Sequence, residues 1–151
     1  MPVIIYKAKN YKIDNQPAEL VHRIYKDKVV TYTNDNQGHE TEIRRWKEDN
    51  ELWEEHLYLD KYSETYEFYK NGKLHDYSFD EPAYYHCENK YGYYVTKHYQ
   101  NGLLHNELGA AVMYDDEDAD VYEREYWLNG QMETSQRSVN LNKVENIIDT
   151  Q

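Results

Sequence analysis

Asp116, Asp118 and Asp120 alternate within the densest acidic run of the chain, Tyr114-Asp115-Asp116-Glu117-Asp118-Ala119-Asp120-Val121-Tyr122-Glu123. Carboxylates at alternate positions are how a calcium loop begins, because a hard cation gathers several oxygens from one short segment. The loop then fails twice. Val121 stands where a glycine must make the turn, and Trp127 where a bidentate Glu must close the shell. Zinc is no better served. His75 and His105 occupy like places in similar segments, His86-Cys87 has no second cysteine, and His39-Glu40-Thr41-Glu42-Ile43 lacks a histidine four residues after His39. The serines, Ser63, Ser78, Ser135 and Ser138, sit in no Gly-x-Ser-x-Gly context, and no glycine-rich phosphate loop is present. Paired carboxylates of the glycosidase kind arise by number alone in a chain with 29 acids. No catalytic residue, metal or cofactor is therefore assigned, and the expectation is a protein that is not an enzyme.

The acids have a second use. Carboxylates on one strand face lie about 6.6 Å apart, twice the rise per residue. Rows of them can stand in for phosphates and fill the Lys/Arg groove of a nucleic-acid-binding protein. Asp115, Asp116, Glu117, Asp118 and Asp120 form the leading candidate patch, and Glu48, Asp49, Glu51, Glu54 and Glu55 a second. The chain has a formal charge of −12, yet residues 1–40 carry six basic and five acidic side chains. The acid belongs to residues 41–151, whose 11 basic and 24 acidic residues give −13. Such a surface repels phosphate, so direct nucleic-acid binding and anionic membranes are disfavoured. The expected partner is a basic, nucleic-acid-binding protein. The expected role is a small inhibitor that mimics DNA or RNA, such as a phage anti-defence protein aimed at a CRISPR effector. The alternatives are an immunity protein or antitoxin against a toxin nuclease, and an interaction scaffold whose acidity confers only solubility.

Such rows need flat elements to carry them. Asn-Gly recurs at 71–72, 101–102 and 129–130, spacings of 30 and 28 residues. The flanks repeat too: Tyr69-Lys70-Asn71-Gly72-Lys73-Leu74-His75, Tyr99-Gln100-Asn101-Gly102-Leu103-Leu104-His105 and Trp127-Leu128-Asn129-Gly130-Gln131-Met132-Glu133. Trp46-Lys47-Glu48-Asp49-Asn50-Glu51-Leu52 reads as a degenerate copy without glycine. Around these turns Tyr93, Val95, Lys97 and Tyr99 alternate with Tyr94, Thr96, His98 and Gln100, the period of a strand. Asn-Gly between strands favours the type I′ hairpin turn, whose two central residues need positive φ. The fold class expected is mainly β: an antiparallel sheet of repeated hairpins.

The pattern Tyr-x-Asn-Gly-x-Leu-His, followed by Glu81-Pro82-Ala83 or Leu108-Gly109-Ala110-Ala111, resembles MORN-like β-hairpin repeats of viral, phage and bacterial proteins. The match spans roughly residues 63–134, with His replaced by Glu133 in the third copy. The resemblance implies a row of hairpins and an interaction role.

Elsewhere Val3–Lys7, Leu20–Lys26, Val29–Thr33 and Thr41–Trp46 read as strands, with Asn34–Gly38 as a loop. Glu51–Leu59 reads as strand rather than as a helix bearing Leu52, Glu55, His56 and Leu59. The chain is expected to form one domain: a near-neutral β segment over 1–40, acidic hairpins over 41–134, and a tail over 135–151. Residues 1–40 are either a distinct element or a face docked on the acidic part. The tail is either a disordered end or a short docking helix, capped by Ser138 and carrying Leu141, Val144 and Ile148 on one side. The 18 tyrosines exceed what such a core needs, so some are expected at the surface as contact residues. Cys87 stands alone, so a reducing compartment is expected, and no apolar run is long enough for a signal peptide core or a membrane helix. The cytoplasm, a host's if the protein is viral, is the expected location.

Overall fold

The computed structural model describes residues 1, 3–88 and 92–139. Its elements are all strands: β1 (Ile4–Lys7), β2 (Lys12–Ile13), β3 (Gln16–Pro17), β4 (Glu19–Ile24), β5 (Lys28–Asn34), β6 (Glu40–Glu48), β7 (Glu51–Leu59), β8 (Ser63–Lys70), β9 (Lys73–Leu74), β10 (Tyr84–Glu88), β11 (Tyr93–Lys97), β12 (Tyr99–Gln100), β13 (Leu103–Leu104), β14 (Val112–Asp116), β15 (Val121–Leu128) and β16 (Gln131–Val139). One antiparallel sheet runs β1-β4-β5-β6-β7-β8-β10-β11-β14-β15-β16, with β9 beside the end of β8. Short ribbons, β2 with β3 and β12 with β13, stand off it. Consecutive hairpins account for the order, so no crossover is needed.

Residues 1–40 neither form a separate unit nor dock over the acidic part. Their strands β1, β4 and β5 are the first of the same sheet, and β5 pairs with β6 from Lys28↔Trp46 to Asn34↔Glu40. Glu51–Leu59 is strand along its whole length, opposite β6. Ser138, expected as a helix cap, lies in β16 opposite Tyr122. The remainder of the expected helix, from residue 140, falls outside the described residues.

The turns follow from residue type. Asn71-Gly72, Asn101-Gly102 and Asn129-Gly130 all take positive φ at both positions, from 49° to 83°. Asp49-Asn50 does the same at 52° and 64°, so the copy without glycine makes the same turn. The repeats also stack. A Cβ on Gly102 would meet Lys73 at 3.7 Å, and one on Gly130 would meet Leu103 at 3.3 Å. The residue after each glycine thus lies along the glycine of the next turn.

After β9 and again after β11 the chain leaves the sheet, then returns at Ala83 and Ala111, both fully buried. A larger side chain has no room at either re-entry point. The first excursion lays Tyr77 against Phe68 (ring centroids 5.4 Å apart), Trp53 (5.0 Å) and Trp46 (5.8 Å).

Register assigns each side chain to a face, because directly opposite residues point the same way. One face carries Val21, Val30, Trp46, Trp53, Phe68 and Cys87, and its buried members form most of a small core. The other carries Tyr58, Tyr69, Tyr84, Tyr93 and Tyr114. No large side chain is fully buried among the described residues, so ladder hydrogen bonds and cross-strand pairs bear much of the stability.

Candidate functional site

The acidic candidates divide into two separate places. Glu48, Asp49 and Glu51 sit at the β6–β7 turn, on the sheet end that also holds the Asn-Gly turns. Asp115 to Asp120 sit at the β14–β15 turn, at the opposite end. Four inter-strand steps also separate β7 from β14, roughly 19 Å across the sheet. The two patches therefore do not join into one row.

Many of these carboxylates already have partners within the chain. Asp115 meets Arg124 at 2.5 Å, and Glu54 meets Arg45 at 2.6 Å. Glu55 stands opposite Arg44. Asp116 accepts the Ala119 N–H at 3.0 Å, Glu117 the Tyr94 hydroxyl at 3.2 Å, and Glu48 the Tyr77 hydroxyl at 3.0 Å. Glu51 hydrogen-bonds the Asn71 amide. Asp120 takes a hydrogen bond from Tyr122, whose hydroxyl that bond pushes up, and Asp118 is likewise partnered. Among the described residues no group of three or more His, Cys, Asp or Glu side chains converges to hold a metal ion. No helix there is long and apolar enough to cross a membrane.

The tyrosine face gathers carboxylates that no contiguous acidic run reveals. It holds Glu54 on β7, Glu67 on β8, Glu88 on β10, Asp116 on β14, and Glu123 and Glu125 on β15. Along each strand a ring and an acid two positions apart share this face and bond to one another. Tyr69 donates to Glu67 (3.1 Å), Tyr114 to Asp116 (3.4 Å) and Trp127 to Glu125 (2.8 Å). His56 meets Glu54 and His86 meets Glu88 by the same spacing, at 3.4 and 3.3 Å. Across strands, Tyr93 donates to Glu88 at 3.2 Å. Of the ten candidates taken from the acidic runs, only Glu54 and Asp116 belong to this set. The ring-x-acid spacing on predicted strands is the sequence signal that finds it.

The electrostatics follow the geometry. Burial pushes the Tyr69, Tyr93 and Tyr114 hydroxyls above the ordinary tyrosine value, and the neighbouring Glu67, Glu88 and Asp116 charges push them further. These hydroxyls stay protonated as donors at neutral pH and hold the carboxylates in place without neutralising them. Glu54 differs. Burial pushes its carboxyl up, but hydrogen bonds from Arg45 and His56 outweigh burial and hold it below the usual value. Among the described residues the cations of this face are Lys97, Lys47, Arg45 on Glu54, and Arg137, which meets Glu123 at 3.2 Å.

The resulting surface is a broad, one-sided array of oriented acids between aromatic rings. It is suited to guanidinium and ammonium groups, which pair with the carboxylates and stack on the rings.

Compared with models of protein families, with curated proteins and with solved structures, the chain matches none.

Proposed function

We propose that this chain is a binding protein that takes a basic, nucleic-acid-binding protein onto its tyrosine–carboxylate face and so keeps nucleic acid out of that partner's groove. One observation carries the reading. Six carboxylates from five strands share one face with five tyrosines, and only two of them meet an arginine there. Rows of fixed negative charge resemble a phosphate backbone in sign and repeat, and aromatic rings add contact area at small entropic cost. The turn run Asp115–Asp120 borders this face through Asp116 and extends the negative field beyond it. An inhibitor of a host defence nuclease and an immunity protein against a toxin nuclease use this chemistry alike.

A second reading, a MORN-like interaction scaffold, draws on the repeated geometry. His75 and His105 each accept the backbone N–H of the next turn's Asn, and Gly102 and Gly130 each pack on the repeat before them.

The test is capture of partners from a native extract at low and high salt, followed by competition with nucleic acid. The mimic reading predicts a basic partner, released by salt, that nucleic acid displaces. A partner that holds this chain and nucleic acid together would favour the scaffold.

A further inference from the structure

We infer that the β1 edge is a self-association surface, on which a second copy of this chain lays its own β1 antiparallel to make a twofold dimer. Val3, Ile4, Ile5 and Tyr6 are 71%, 54%, 55% and 56% exposed, and the adjoining Ile24 is exposed as well. Natural sheet edges are normally blunted by charge, proline or bulges, and a flat apolar edge invites another strand. β1 carries one charge, Lys7, at its last position. The opposite edge, β16, is polar along most of its length, with Gln131, Glu133, Gln136 and Arg137, and Met132 is its one exposed large apolar side chain among the described residues.

The backbone of β1 is arranged to receive a partner. Ala8 donates to the Leu20 carbonyl at 3.0 Å. Hydrogen-bonded pairs alternate in an antiparallel ladder, so Tyr6 and Ile4, opposite His22 and Ile24, turn their backbone groups toward β4. Ile5 and Lys7 turn theirs outward. A twofold axis through Ile5 sets Ile5 against its own copy, Ile4 against Tyr6, and Val3 against Lys7. Ile5 then exchanges both of its outward bonds with its own copy, the Val3 N–H stays on the Ile24 carbonyl at 2.7 Å, and the two lysines stay apart.

Charge selects the occupant. Residues 1–40 are near neutral while the remainder carries −13, so joining two copies at β1 keeps their acidic parts at the far ends. Joining them at β16 would bring the acids together. The paired segment is short and buries less than the roughly 1,200 Å² of a stable complex, so the dimer is weak and concentration-dependent. Its formation does not depend on the proposed partner.

Sedimentation velocity on the whole chain, over a concentration series at low and high salt, tests this. A monomer–dimer equilibrium that tightens as salt rises is expected, opposite in sign to the binding of a basic protein. Ile5→Pro removes only an outward N–H, and Ile5→Lys places charge at the axis; both should stay monomeric with unchanged circular dichroism. Ile5→Cys should cross-link to a dimer on oxidation, whereas Lys7→Cys should not. A monomer at every concentration overturns the proposal, as does a dimer that survives both Ile5→Pro and Ile5→Lys. Growth past the dimer would mean head-to-tail pairing and overturn the twofold arrangement.

Discussion

Nδ1 of His105 accepts the backbone N–H of Asn129 at 2.9 Å, closing a contact between one repeat and the turn of the next. His75 does the same for Asn101 at 3.0 Å. The histidine thus replaces a ladder bond that the turn residue cannot find within its own hairpin. Asn101 and Asn129 are exposed, so removing either ring, as in His75→Ala, should cost about 0.5–1.5 kcal/mol, the net worth of one hydrogen bond. Urea unfolding of the two single variants measures it.

The same contact gives a pH dependence. Burial, then the nearby Lys70 ammonium, holds His75 below the ordinary histidine value. The folded state therefore favours the neutral ring. Its contribution is whole above the unfolded value of roughly 6.5 and is lost as pH falls through the folded value. Stability measured across that window should slope downward into acid, and the slope should flatten in His75→Ala.

Gly130→Ala should destabilise by about 1–2 kcal/mol, the ordinary cost of an L-residue in the left-handed region. Gly130 holds a φ of 79°, and the added Cβ would press on Leu103 at 3.3 Å. Gly72→Ala has the same φ problem at 80° but open space around it, so it should cost less. Thermal melts of the pair separate the strain of the turn from the contact between repeats.

Alkali should unfold the protein before its tyrosines ionise freely. Burial, then Cys87 beside it, pushes the Tyr85 hydroxyl up to about 12, and Tyr69, Tyr93 and Tyr114 are also raised. Groups with raised folded values give stability that is whole below about pH 10, the unfolded value, and is lost as pH rises through the folded values. Tyrosinate absorbance should lag the model titration and then rise together with loss of β-sheet circular dichroism. Titration of Tyr69, Tyr93 and Tyr114 near pH 10 with the sheet intact would contradict the packing described for the tyrosine–carboxylate face.

The hairpins were open to sequence reasoning because Asn-Gly and Asp-Asn pairs decide their own turn geometry locally. Asp49-Asn50 shows that the chemistry, not the glycine, carries the signal. Alternation over 93–100 and 121–128 likewise places strands without any tertiary knowledge. The candidate surface was harder to read, because contiguous acids such as Asp115 and Asp116 fall on opposite faces and crowd at turns. Glu67, Glu88 and Glu123 are separated by about 20 to 35 residues and come to share one face only through the ladder register. The excursions that seat Tyr77 on Trp53 depend on buried re-entry at Ala83 and Ala111, a packing fact with no local pattern.

The central claim is best met by one comparison: partner affinity of the natural chain against the variant Glu67→Gln, Glu88→Gln, Asp116→Asn, Glu123→Gln, measured by titration calorimetry at two salt concentrations. These changes keep size, and Asn at 116 keeps a carbonyl oxygen for the Ala119 N–H of the β14–β15 turn. Buried or close charge pairs are each worth more than about 1.5 kcal/mol, so a loss of at least roughly tenfold is expected, together with a weaker salt dependence. Equal affinity for the folded variant, or binding of the natural chain that ignores salt, would contradict the account.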